Sequence, residues 1–378
     1  RIEDLPMSVQ AITGSRLESA NVNDFMDYAE LIPSLSYIQY GPGRSAFYIR
    51  GTSDGNFGNL AGPNTTVAMY IDESPINTVG LNPEITLEAN PDDLVSVRAQ
   101  SRTIFEDYLN LGINRLSIGI QSFFEADLKL MNRAHNADEA KNCLKEAIKY
   151  FDNISLDLIY GIPGLSNKRW IENIDMALSY NIPHISSYAL TVEPKTALES
   201  FIKKGIIQNV DDDLAQQQFH ILIEKLEAHG LVHYELSNFG KPNYFSRNNS
   251  AYWQGKHYLG IGPSAHSFNG NERGWNVRNN AKYIKALQEN RVPMEIETLS
   301  KTDKYNEYVM TGLRTIWGVS IEKVERDFGL NYKNYLLEQA TIHLKNDLLY
   351  LDDNKLLVTK KGKFLSDGIA SDLFKINV

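Results

Sequence analysis

The sequence predicts an α/β protein, a partial barrel of parallel βα units followed by a smaller C-terminal domain. Three observations carry that expectation. Four short aliphatic or β-branched runs end at Glu88, Gln121, Asp157 and Ala189. Helical patterns at 92–110, 138–150 and 168–180 alternate with these runs, as they do in parallel sheets. From Lys301 onward the pattern changes to consecutive helices and one hairpin.

Taken in order, the first strand is expected to begin at Ile85 and to end on Glu88. The second is Arg115–Gln121, the third reaches Asp157 and continues to Pro163, and the fourth is His184–Ala189. In a parallel barrel the carboxyl ends of the strands meet on one rim, where ligands bind. Glu88, Gln121, Asp157 and Ala189 are therefore expected side by side. Taken singly, Glu88 and Asp157 could equally cap the helices that follow, and Arg133 could be a solvated surface residue.

A helix over 211–229 is introduced by three aspartates, read as an N-terminal charge cluster. A stretch dense in aromatics and glycines, expected as loop, runs from Tyr234 to Trp275. Helices are predicted at 302–316, 321–328 and 332–346. After them Leu349–Thr359 alternates around Asp352–Asn354, which reads as strand, turn, strand. A last helix follows, and helices closed by a small hairpin suggest a winged-helix-like domain.

The chain of 378 residues has room for two or three domains. Its net charge of −9 argues against general nucleic-acid binding. No apolar run approaches a membrane span. The single cysteine, Cys143, excludes a disulfide framework within one chain. Composition shifts abruptly near Asn82: residues 1–82 hold four arginines and no lysine, whereas the remainder holds 23 lysines beside 11 arginines.

Several motifs stand in a specific order: EITLEANP at Glu84–Pro91, GINRLSIGIQSF at Gly112–Phe123, MNRAH at Met131–His135 and SLDLIYGIP at Ser155–Pro163. YELSNF at Tyr234–Phe239, NSAYW at Asn249–Trp253, YLGIGPSAHSF at Tyr258–Phe268 and GLR at Gly312–Arg314 continue the series. From about Pro83 to the C-terminus the sequence resembles the radical-SAM heme chaperones of the HemW type, relatives of the oxygen-independent coproporphyrinogen III oxidases. The resemblance implies an incomplete radical-SAM barrel over 83–275 and a C-terminal domain over 276–378. It implies that Glu88, Gln121, Arg133 and Asp157 hold S-adenosylmethionine, with Ala189 lining the pocket by its backbone. Carboxylate and amide acceptors suit a ribose diol, and a guanidinium suits an aminocarboxylate. The family also implies heme as ligand and a membrane protein as heme acceptor.

Three family features are missing, one of them the glycine-rich segment that should follow the second strand and contact S-adenosylmethionine. A [4Fe–4S] cluster needs three thiolates in a Cys-x3-Cys-x2-Cys loop. Cys143 lies in a helical pattern and reads as a small buried hydrophobe. Where the family places a heme-associated histidine, this sequence has Asn248, a poor iron ligand. The following Tyr252 and Trp253 could stack on a porphyrin or pack a loop core, and His266, His257 and His135 are alternative imidazoles.

The first 82 residues resemble something else. RIEDLPMSVQAITG at Arg1–Gly14, AELIPSLS at Ala29–Ser36, FYIRG at Phe47–Gly51 and VAMYIDESP at Val67–Pro75 resemble the plug domain of TonB-dependent outer-membrane receptors, here as a truncated α+β fragment. The two resemblances meet at Leu81–Glu84 without a linker. A chimera of two truncated genes accounts for this, and it leaves the strand beginning at Ile85 as an exposed edge. With no signal peptide ahead of Arg1, the product is expected in the cytoplasm. The expected function is that of a heme chaperone by family, inactive in radical chemistry; the alternative is a non-catalytic chimera carrying a plug fragment.

Overall fold

A computed structural model describes residues 84–94 and 103–376, and before them the backbone of five short strands. The chain divides into two compact units, residues 1–86 with 100–114 and residues 87–99 with 115–378.

In the first unit, β1 (Leu35–Gly41), β2 (Arg44–Ile49) and β3 (Thr52–Ser53) form an antiparallel sheet in that order, and β4 (Met69–Ile71) pairs with β5 (Ser74–Ile76). The plug-like motif at Arg1–Gly14 lies outside the described residues, as does most of that at Ala29–Ser36. The expected helix over 92–110 is described in two pieces, α1 (Pro91–Leu94) and α2 (Ile104–Asn110), with 95–102 outside the described residues. Thr103 and Glu106 form a capping box at the start of α2, the Ser/Thr-x-x-Glu signal of a new helix.

The second unit is built on a six-stranded sheet. β6 (Thr86–Ala89), β7 (Arg115–Gln121), β8 (Ile154–Tyr160) and β9 (His184–Ala189) are neighbours in that order, and β7, β8 and β9 run parallel. Leu116, Ile118, Ile120, Leu156, Leu158 and Ile185 are fully buried, the near-continuous apolar run of strands covered on both faces. α3 (Glu125–Leu130) and α4 (Ala137–Ala147) link β7 to β8, and α5 (Asn167–Ser179) links β8 to β9. After α6 (Ala197–Lys203) comes α7 (Asp212–Ala228), capped by the Asp211 side chain and packed on α5, where the Trp170 indole donates to the Gln218 carbonyl. Sheet order ends at β6 on one side among the described residues.

The stretch expected as loop contains regular structure. β10 (Val232–Glu235) and β11 (Asn238–Gly240) add antiparallel strands beyond β9. α8 (Arg247–Trp253) follows, then a sheet of β12 (His266–Phe268), β13 (Glu272–Asn276) and β14 (Met294–Thr298) with α9 (Asn280–Gln288) inserted. Strands of three to five residues are too short for alternation to show in sequence.

The C-terminal part has α10 (Lys301–Leu313), β15 (Val319–Ser320), α11 (Ile321–Phe328), α12 (Leu330–Lys345), a hairpin of β16 (Leu349–Asp352) and β17 (Lys355–Val358), and α13 (Ser366–Asp372). β17 lies between β15 and β16, which makes the small wing-like sheet. Tyr305, Val309, Val319, Val324, Leu336 and Leu356, all without exposed surface, form its core. No helix among the described residues is long and apolar enough to cross a membrane.

Candidate functional site

The sheet brings Glu88, Gln121 and Asp157 near one another, with Gln121 opposite Leu158 and the Glu88 charge acting on Asp157. The expectation that all four stand side by side at strand ends is not met: Asp157 lies within β8 opposite Ser186, and Ala189 is three residues further along β9. Gln121 closes β7 with φ of +64°, a left-handed conformation unusual for a residue with a side chain. The β7–β8 register also shifts between Ile118 and Gln121, so the strand end is bent. Side chains converge here on Gly119. A methyl group on that glycine would come 2.9 Å from Gln121 Nε2 and 3.4 Å from both Arg133 Nη2 and Asn90 Oδ1.

Arg133 donates through Nη2 to Asn90 Oδ1 at 2.5 Å. Its Nε is buried and has no hydrogen-bond partner among the described residues. A buried unpaired guanidinium N–H is costly unless an acceptor arrives, which fits the aminocarboxylate of an S-adenosylmethionine-type ligand. Asn90 is a rim residue that sequence reasoning missed, although it stands two positions after Glu88 in the same motif.

Asp157 is half-buried in β8. Burial, and next the negative charge of exposed Glu88, push its carboxyl up to about 7; a Ser186 hydrogen bond, Arg115 and Arg133 oppose the rise. Ala189 faces Tyr160 across β8 and β9 and is exposed at the strand end. Beside it Tyr188 is 44% exposed, with its phenol pushed up to about 12 by desolvation and by Asp157.

A polar chain leaves this rim. The Ser186 hydroxyl donates to Asn238 Oδ1 at 2.9 Å, and Asn238 Nδ2 donates to Glu235 Oε2 at 2.5 Å. Glu235 is buried, which raises its carboxyl, and its other oxygen meets Arg314 Nη2 at 3.3 Å. The Arg314 guanidinium also reaches Asp367 at 2.6 Å and lies 5.1 Å from the centre of the Trp253 ring. The motifs YELSNF, GLR and NSAYW thus supply one contiguous network; their order in the sequence was visible, but not that they touch.

The porphyrin candidates are placed less freely. Trp253 carries Arg314 on its ring, and its Nε1 is buried without a partner among the described residues. Tyr252 is 44% exposed but meets Tyr258 edge-on at 4.4 Å, and Tyr258 in turn contacts Phe268 of β12. His266, at the start of β12, is exposed and near Trp275. Asn248 is exposed on the first turn of α8. His135, by contrast, is buried under β7, with Nε2 bonded to the Ile120 carbonyl at 3.0 Å.

A [4Fe–4S] cluster does not fit the residues present. Cys143, the chain's one thiol, is fully buried on α4, and desolvation pushes it up to about 12.

Residues 63–177 match the radical SAM superfamily and residues 299–365 match the HemN C-terminal domain. The solved coproporphyrinogen III oxidase HemN of Escherichia coli, described as a radical SAM enzyme, superposes with a TM-score of 0.64 at 21% identity. That match covers 77% of this chain and 70% of that one, so the two share a fold. The fold is that of a radical SAM protein. Within that class the chain is 31% identical over 288 residues to heme chaperone HemW of Bacillus subtilis, covering 76% of this chain and 74% of that one. It is 30% identical over 295 residues to heme chaperone HemW of Mycobacterium tuberculosis, covering 77% and 71%. The chain belongs to the heme chaperone HemW family. Its residues 1–100 match the TonB-dependent receptor plug domain, overlapping the radical SAM match over 63–100.

Proposed function

We propose that this chain is a heme-binding member of its family that keeps the S-adenosylmethionine rim but performs no radical chemistry. The observation that carries the reading is the contrast between the convergent rim around Gly119 and a single buried thiol. Glu88, Gln121, Arg133, Asp157 and the Ala189 backbone form the cofactor rim in this reading; Tyr252, Trp253 and His266 take the porphyrin. Its relatives' name supports heme as cargo, and a heme-acceptor protein and a cytoplasmic location belong to the same proposal. The domain division at 82/83 and 275/276 belongs to it as well. The plug match favours a second reading, a non-catalytic chimera of two truncated genes.

Without a cluster iron, S-adenosylmethionine loses the contact that fixes its methionine end, each such contact being worth on the order of a few kcal/mol. Heme binding relies on apolar contact and is spared. Heme titration followed by absorbance, beside calorimetry with S-adenosylmethionine, tests this. Weak heme binding that falls further in His266→Ala, with no heat from S-adenosylmethionine, is the expected result. Micromolar S-adenosylmethionine affinity that disappears in Asp157→Ala would show a working cofactor site and overturn the reading.

A further inference from the structure

The second unit carries a cleft of about 500 Å³ that shares no residue with the strand-end rim. It lies between β10 and the C-terminal hairpin, with His233, Arg314, Ile316, Tyr350, Leu357 and Lys363 among its walls. Roughly 300–1,000 Å³ is the usual range of small-molecule sites.

The charges in the cleft are unequally compensated. Arg314 is paired with Glu235 and Asp367, and Lys360 with Glu227. Lys363 has no carboxylate within ion-pair distance among the described residues. Its Nζ instead donates to His233 Nδ1 at 2.7 Å. His233 Nε2 bonds to the Leu236 carbonyl at 3.0 Å, which fixes the ring proton on Nε2 and leaves Nδ1 as acceptor. The His233 ring stacks on Phe239 at 4.1 Å and is buried; desolvation and the Lys363 charge hold it neutral. A half-buried ammonium facing a neutral partner is poorly compensated, and an anion entering the cleft would relieve it. Beside it, Ile316 and Tyr350, each 43% exposed, offer apolar surface.

We propose that this cleft binds a small amphipathic monocarboxylate, its head on Lys363 and its apolar body along Ile316 and Tyr350. Among the described residues Lys363 is the one cation of the lining without an ion pair, Glu227 acting on it only at longer range, and Asp347 stands as a carboxylate in the same lining. Against those two acids a monocarboxylate meets less repulsion than phosphate, which favours the single charge. The apolar wall favours a medium-length hydrocarbon body over a short polar acid.

Calorimetry on the full chain with octanoate, octanol and inorganic phosphate tests the assignment. Octanoate is expected to bind at least about tenfold more tightly than either comparison compound, and Lys363→Met to weaken it by about tenfold. Ile316→Trp, at a half-exposed position, is expected to fill the cleft and block octanoate even if Lys363→Met fails to fold. Equal binding of octanol, tighter binding of phosphate, no heat from millimolar octanoate, or unchanged octanoate affinity in either folded variant overturns the proposal.

Discussion

The rim at the ends of β6 to β9 and the aromatic surface around α8 and β12 both draw on residues far apart in sequence, yet they are assembled in opposite ways. At the rim, side chains arrive with bonding capacity unspent: Arg133 Nε has no partner among the described residues, and Asp157 is desolvated beside Glu88. On the aromatic surface the rings have already spent much of theirs on each other, with Arg314 over Trp253 and Tyr258 against Tyr252. A parallel sheet presents successive strand ends to one place regardless of what those ends carry. The aromatic surface has no such scaffold and is held by its own contacts. A ligand at the rim meets prepared groups, whereas one at the aromatic surface must compete with existing packing.

The largest expected effect comes from cutting the network that joins the two. Arg314→Ala leaves the buried Glu235 carboxylate without its cation and removes the charge from the Trp253 ring. Loss of one partner from a buried pair costs roughly 3–5 kcal/mol, so a fall of that order in unfolding free energy is predicted in denaturant titrations. Asp367→Ala, which removes the 61%-exposed partner of the same arginine, is expected to cost under about 1 kcal/mol. Similar losses for the two variants would mean that the network does not organise this part of the fold.

A smaller effect separates the rim from the aromatic surface by pH. Asp157 is raised from 3.8 to about 7, so the folded chain holds that proton more tightly than the unfolded chain. The resulting stability is complete below pH 3.8 and is lost as pH rises through 7, where Asp157 ionises next to Glu88. Asp157→Asn removes this titration. It is predicted to be about 2 kcal/mol more stable than the parent at pH 8, with no such gain near pH 4. Parallel pH–stability curves for parent and variant would break the account of the rim.

Sequence made the longer strands of the six-stranded sheet legible. β7 and β9 were located to the residue, and α11 as well, since apolar periodicity and the flanking helices leave little choice there. Asn90 escaped notice because its part in the rim depends on Arg133 folding back from beyond α3. β10 to β13 were read as loop because each is five residues or shorter. Arg314 could be recognised as part of a motif, but its two carboxylate partners lie 79 and 53 positions away, and nothing local announces them. The side chains of the plug-like segment lie outside the described residues.

The central proposal is that this chain, with its single buried thiol, holds no [4Fe–4S] cluster. Anaerobic reconstitution with iron and sulfide, read by electron paramagnetic resonance after reduction, tests it most directly. With one buried thiol per chain, the account predicts well under one cubane per monomer and no stable cluster signal. A stoichiometric [4Fe–4S] signal from the monomer would contradict it.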